Sequence, residues 1–175
     1  ALKYMDGMPI AYNMNMILAD KHGNIALVET LDGRFAAMRM EDGGRKYRHA
    51  TNHAAIPELV ALEPQAMKHS MMRYNWICDQ LDGEQQVTAD KLKSMLLSEF
   101  PQGLCCHFYK DYFGTTKSMV IDPVDGTIDI CWGGDEQNGW RKYDIKQLLG
   151  NSMIETALRF ESFSPELAQY VPLKN

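Results

Sequence analysis

The sequence predicts an α+β fold in which antiparallel sheets are packed with helices. Three observations carry this reading. Residues 12–51 and 116–132 alternate apolar and polar side chains between Gly-containing turns. Residues 67–99 instead carry apolar side chains at three- and four-residue spacing. Strands grouped apart from helices imply helices on an antiparallel sheet rather than a βαβ alternation. At 175 residues the chain suits one domain spanning residues 1–175.

The elements follow in order. Tyr12–Ala19 reads as a strand, with Tyr12, Met14, Met16 and Leu18 on one face and Asn13, Asn15 and Ile17 on the other. Asp20-Lys21-His22-Gly23 is a turn, and Asn24–Leu31 is the return strand. Asp32-Gly33 marks a second hairpin into Phe35–Met40. Asp42-Gly43-Gly44 turns the chain into a short fourth strand, Tyr47–Thr51. Met67, Met71, Tyr74, Cys78 and Leu81 then form one helical stripe, with Ser70, Arg73 and Ile77 beside it. Pro64 suits that helix's first turn. Thr88 caps a second helix through about Glu99, ended by Pro101 and Gly103. Thr116–Ile121 and Thr127–Trp132 flank the turn Pro123-Val124-Asp125-Gly126. Lys142–Leu149 reads as a short helix and Ile154–Phe160 as a strand or helix.

Composition narrows the function classes. A net charge of −5 argues against a nucleic-acid binder. No apolar run approaches the roughly 18 residues of a membrane span. Cys78, Cys105, Cys106 and Cys131 contain no CxxC and no framework spacing. That favours a cytoplasmic setting without deciding against a secreted one. No motif calls for a cofactor. His49 and His53 form an HxxxH pair, but on a strand and without a third ligand they do not make a metal site, so none is expected. A zinc hydrolase using His49, His53 and His107 is the reading that metal analysis would test.

Asn52 stands at a strand end and Arg73 on the following helix. Such an Asn can aim a side-chain N–H at a developing oxyanion, and such an Arg can orient a carboxylate or a nucleophile. Taken alone, an Asn in this place is more often a turn or cap residue and such an Arg a helix-surface residue.

Five segments in this order resemble the C-terminal part of the N-terminal-nucleophile (Ntn) amide hydrolases that include choloylglycine hydrolase and the penicillin acyltransferases. Met16-Ile17-Leu18-Ala19-Asp20, Gly23 and Leu27-Val28-Glu29 resemble that family's hairpin "lladxxGxxxxvE". Ala50-Thr51-Asn52-His53 resembles its TN or TNH motif, and Ser70-Met71-Met72-Arg73-Tyr74 its SxxR(F/Y) helix. Leu104-Cys105-Cys106-His107 resembles an lCxH segment of the acyltransferase branch. Thr116–Asp122, Gly126 and Trp132-Gly133-Gly134 resemble the terminal hairpin.

The resemblance implies a four-layer αββα sandwich and cleavage of a small-molecule linear amide. It implies Asn52 as an oxyanion donor and Arg73 near the nucleophile, with His53 and Tyr74 beside them facing substrate. It implies a nucleophilic Cys at a processed N-terminus, which none of the motifs in these residues supplies. The expectation is therefore the C-terminal portion of a longer precursor, or a chain whose partner carries the Cys, with a homo-oligomer as a further arrangement. Ala54 departs from the pattern, which usually places an aromatic after TNH. The alternative is a non-catalytic small-molecule binding or assembly module on the same scaffold.

Overall fold

The computed structural model of the protein describes residues 1–10, 12–42, 44–63, 66–147 and 153–168. They fall into two compact units, Ala1–Asp82 and Gly83–Asn175.

The first unit opens with a short helix, α1 (Leu2–Met5), and an antiparallel sheet in the order β1 (Met14–Ala19), β2 (Ile25–Leu31), β3 (Arg34–Arg39). Local turn chemistry builds it. The Asp20 carboxylate accepts the N–H groups of His22 (2.8 Å) and Asn24 (3.1 Å). Leu31 stands opposite Arg34 across a two-residue loop in which Asp32 (φ 49°) and Gly33 (φ 77°) are both left-handed. That is the turn whose twist matches antiparallel strands, as the Asp-Gly pair predicts. The middle strand is buried from Ala26 through Thr30, so it is covered on both faces.

The expected strand at Tyr47–Thr51 does not form; the segment joins no ladder. Side chains take the place of a neighbouring strand. The Arg48 guanidinium donates to the carbonyls of Arg39 (2.5 Å) and Met40 (3.0 Å), and the Asn15 amide donates to the carbonyl of Thr51 (2.6 Å). A short helix, α2 (Pro57–Val60), follows, with Pro57 in its first turn.

The long helix α3 (Lys68–Leu81) forms where its periodicity predicts. Its buried face is rotated from the expected stripe. Ile77, Cys78 and Leu81 are buried, but so are His69 and Ser70, while Met67 and Met71 are 39% and 48% exposed. The neighbouring Ser70–Ile77 stripe turns inward because the Ser70 hydroxyl finds partners there. Gly43 of the third turn and Pro64 lie outside the described residues.

In the second unit, α4 (Ala89–Leu97) begins as expected at Thr88, whose hydroxyl accepts the Lys91 N–H at 3.2 Å. It packs on β6 of the sheet β6 (Lys117–Asp122), β7 (Thr127–Trp132), β8 (Arg141–Asp144). A two-stranded piece, β4 (His107–Phe108) and β5 (Phe113–Gly114), precedes that sheet, and a short helix, α5 (Pro165–Ala168), follows it. Asp122 closes the β6–β7 turn by accepting the N–H groups of Val124 and Asp125. The expected helix at 142–149 is corrected: residues 141–144 are β8, with Tyr143 opposite Ile128, and Ile145–Gln147 is one 3-10 turn. Cross-strand pairing overrides the weak helical pattern there. Leu148 and Leu149 lie outside the described residues. Residues 154–160 form neither helix nor ladder; Phe160 makes a single bridge to Phe108.

Three antiparallel sheets with helices, among the described residues, make the α+β class that the sequence predicts.

Candidate active site

Residues 51–56 lead from that segment into α2, and their backbone is held largely by side chains from elsewhere. The Asn52 N–H donates to Ser70 Oγ at 2.6 Å. The Ala54 N–H donates to Glu63 Oε2 at 2.6 Å. The Ala55 and Ile56 N–H groups donate to the Glu29 carboxylate at 2.8–3.0 Å. On the acceptor side, the Asn15 amide reaches the carbonyls of Thr51 (2.6 Å) and His53 (2.8 Å). A loop without ladder partners must satisfy its polar groups this way or with water.

Glu29 is the centre of that scaffold. It sits on the middle strand β2 and is 1% exposed. A buried carboxylate is tolerated only where donors converge on it. Burial raises the Glu29 pKa and Glu63 adds to the rise, while the N–H groups of Ile56 and Ala55 pull it back.

Helix α3 supplies the other wall. Ser70 is fully buried. Its Oγ lies 2.8 Å from His53 Nδ1 and 2.9 Å from Thr51 Oγ1, and Thr51 Oγ1 in turn donates to the Ser70 carbonyl at 2.9 Å. Counting donors assigns the protons. Ser70 accepts the Asn52 N–H and donates to Thr51, and Thr51 spends its own proton on the carbonyl. His53 Nδ1 also lies 3.0 Å from Thr51 Oγ1; with the Thr51 proton on the Ser70 carbonyl, Nδ1 carries a proton and donates into the Ser70–Thr51 pair, which leaves the lone pair on Nε2. Burial lowers the His53 pKa, so the neutral ring is the resting form near pH 7.

One turn along α3, Arg73 Nη2 donates to Asn52 Oδ1 at 2.5 Å. This contact fixes the amide orientation: Oδ1 takes the guanidinium and Nδ2 remains the donor end. Asn52 is exposed and lines a cleft of about 310 Å³ together with Asn13, Asn15, Glu29, His53 and Glu63. A second hollow, of about 400 Å³, lies at the other end of β1 against Ala1, Leu18 and Arg39, and no candidate residue lines it.

A family model for acyl-coenzyme A:6-aminopenicillanic acid acyl-transferase matches residues 1–137. The chain belongs to this acyltransferase family. No curated protein and no solved structure matches it. The match spans every residue of the site just described and most of the second unit's strands.

Within this acyltransferase-family chain, Asn52, His53 and Arg73 come together around Ser70. Tyr74 lies behind them: its ring packs tilted against His49, with centroids 4.0 Å apart, and meets the His53 ring edge-on at 5.2 Å. It is not among the residues lining the cleft. His49 turns Nε2 to Cys78 Sγ at 3.4 Å, and burial followed by the charge of Arg45 holds its pKa at about 4. Among the described residues, no group of three or more His, Cys, Asp or Glu side chains assembles for a metal ion. No described helix is long and apolar enough to cross a membrane.

The cysteines sit in unlike surroundings. Cys105 is fully buried, donates to the Gly134 carbonyl at 2.9 Å, and burial pushes its pKa to about 11. Burial also raises Cys131, which donates to the Asp135 carbonyl. A buried, neutral thiol is a poor nucleophile.

Sequence reasoning passed over Asn15, Glu29 and Glu63 as parts of this site. Glu29 carried the one available signal: a lone carboxylate inside the run Ala26–Leu31, where burial demands partners.

Proposed function

We propose that this acyltransferase-family chain forms one wall of an Ntn amide hydrolase or acyltransferase site acting on linear amides, as the choloylglycine hydrolase branch does. The observation that supports it most is the Arg73–Asn52 contact, which occupies Oδ1 and leaves Nδ2 as the donor end of a residue that lines the cleft. In this reading a Cys thiolate supplied by an upstream segment, or by a partner chain, attacks the amide carbonyl. The carbonyl oxygen becomes an oxyanion and accepts from Asn52 Nδ2. The guanidinium of Arg73 polarises that amide through Oδ1 and makes its N–H a stronger donor. The tetrahedral intermediate collapses to a thioester as the C–N bond breaks and the amine leaves with the proton that the Cys α-amino group took from the thiol. Water or an acceptor amine then takes the acyl group.

His53, with Nε2 as an acceptor, faces substrate in this reading, and Tyr74 backs its ring. The cysteines Cys105 and Cys131, buried and with raised pKa, do not offer the reacting sulfur.

The test is turnover by the full-length protein of acyl nitroanilides and conjugated bile salts. Asn52→Ala is expected to lower kcat by about 10²–10³-fold with little change in KM. Wild-type turnover by that variant would remove Asn52 from the chemistry.

A further inference from the structure

Four N–H groups of the loop 52–56 end on side chains, and two of them end on one carboxylate. Glu29 takes the Ala55 N–H on both oxygens (2.9 and 3.0 Å) and the Ile56 N–H on Oε2 (2.8 Å). The loop has no ladder of its own, and the structure records no backbone acceptor for the N–H groups of Asn52, Ala54, Ala55 or Ile56. Glu29 itself cannot wander. It lies mid-strand in β2, opposite Asn15 on one side and Ala36 on the other, and is 1% exposed. Its cross-strand partner Asn15 holds the same loop by its carbonyls, at Thr51 and His53. One ladder position of the sheet therefore grips the loop at both ends of the Asn52–Ile56 stretch.

We propose that Glu29 is a positioning residue for Asn52: its carboxylate fixes the Ala55–Ile56 backbone and thereby sets where the Asn52 amide stands in the cleft. The inference rests on Asn52 being the oxyanion donor. Although Glu29 borders the cleft, its carboxylate is taken up by the Ala55 and Ile56 N–H groups, so its role runs through the chain rather than through the reacting atoms. The register explains how. Asn15 and Glu29 are paired residues of adjacent strands, so the sheet presents an amide donor and a carboxylate acceptor side by side. The loop offers carbonyls at 51 and 53 and N–H groups at 55 and 56, which match that pair in order. A glutamine at 29 keeps one acceptor oxygen but aims an NH₂ group at an N–H, which no rotation of the side chain repairs. An aspartate keeps both acceptors but withdraws them by one methylene.

Two measurements on the full-length protein test this. The first is amide hydrogen exchange of the loop. Glu29→Gln is expected to accelerate exchange at Ala55 and Ile56, while the β2–β3 amides keep their protection and show the sheet intact. Unchanged exchange at 55 and 56 overturns the proposal. The second is a double-mutant cycle on turnover of an acyl nitroanilide. Glu29→Gln is expected to lower kcat by about a hundredfold, the order of a misplaced catalytic group, with KM unchanged. In an Asn52→Ala background the same change is expected to cost nothing further. Equal losses in both backgrounds show a merely structural role and overturn it. Should Glu29→Gln not fold, Glu29→Asp carries both measurements, with smaller effects of the same sign. If Asn52→Ala alone leaves turnover intact, the oxyanion reading and the positioning role fall together. Loop exchange that follows Glu29 then reports only a structural contact.

Discussion

The backbone N–H of Asn52 ends on the hydroxyl of Ser70, 2.6 Å away and fully shielded from solvent. The relationship ties the candidate oxyanion donor to helix α3 without using its side chain. The Asn52 amide is thus left for other work.

Ser70→Ala should therefore be costly. It removes the acceptor for the Asn52 N–H and for His53 Nδ1, and the donor to Thr51, all inside the fold. A buried donor left unsatisfied costs about 1–3 kcal/mol. The expected result is a lower urea midpoint with an unchanged m-value, and a loss of that size on extrapolation to water. A midpoint equal to wild type would show that water replaces the hydroxyl.

Acid should weaken the first unit before the carboxylates titrate. Burial lowers the pKa of both His49 and His69 to about 4, with Arg45 adding to the first and Arg73 to the second. In the unfolded chain both titrate near 6.5. The folded state therefore binds fewer protons than the unfolded state between pH 6.5 and 4. Stability contributed by the neutral rings is fully present above pH 6.5 and falls as pH drops toward 4. Glu29, with its raised pKa, acts in the opposite sense and recovers stability as it protonates. Urea midpoints at pH 7.5 and 5 should differ, and His49→Gln should shrink the difference. A flat profile in the wild type contradicts the assignment.

Adjacent cysteines should report burial directly. Cys105 is fully buried with a pKa of about 11, whereas Cys106 is half-buried. Iodoacetamide at pH 8 should label Cys106 of the folded protein much faster than Cys105, and the two should react alike in denaturant. Peptide mass spectrometry separates them. Equal labelling in the folded state would place Cys105 at the surface.

The features legible in the sequence are those whose causes are local. Asp32-Gly33 and the Asp122–Gly126 stretch predict their hairpins because turn geometry depends on the residues in the turn. Thr88 predicts the start of α4 for the same reason. The misread elements depend on distant partners. Residues 47–51 carry strand-like residues, but Arg48 and Asn15 fill the positions a neighbouring strand would take. Residues 142–144 read as part of a helix because their partners in β7 are not visible from their own pattern. The buried face of α3 was displaced because Ser70 is polar by composition yet satisfied by a loop eighteen residues upstream. Asn52 and Arg73 were recognisable as short motifs. The grip of Asn15, Glu29 and Glu63 on the loop was not, since each reaches across the fold to a main-chain atom and leaves no spacing rule behind.

Because main-chain atoms of residues 52–56 are gripped from outside, the loop's own small side chains carry little of its shape. Ala54 and Ala55 hold their places through N–H groups that any non-proline residue possesses. Position 54, on the cleft and next to the histidine, is thus held by its main chain, and a change of its side chain alters the cleft wall while leaving the hold on Asn52 in place. A lineage or a protein engineer could reshape the wall of the cleft there by single substitutions, without rebuilding the scaffold that holds the loop.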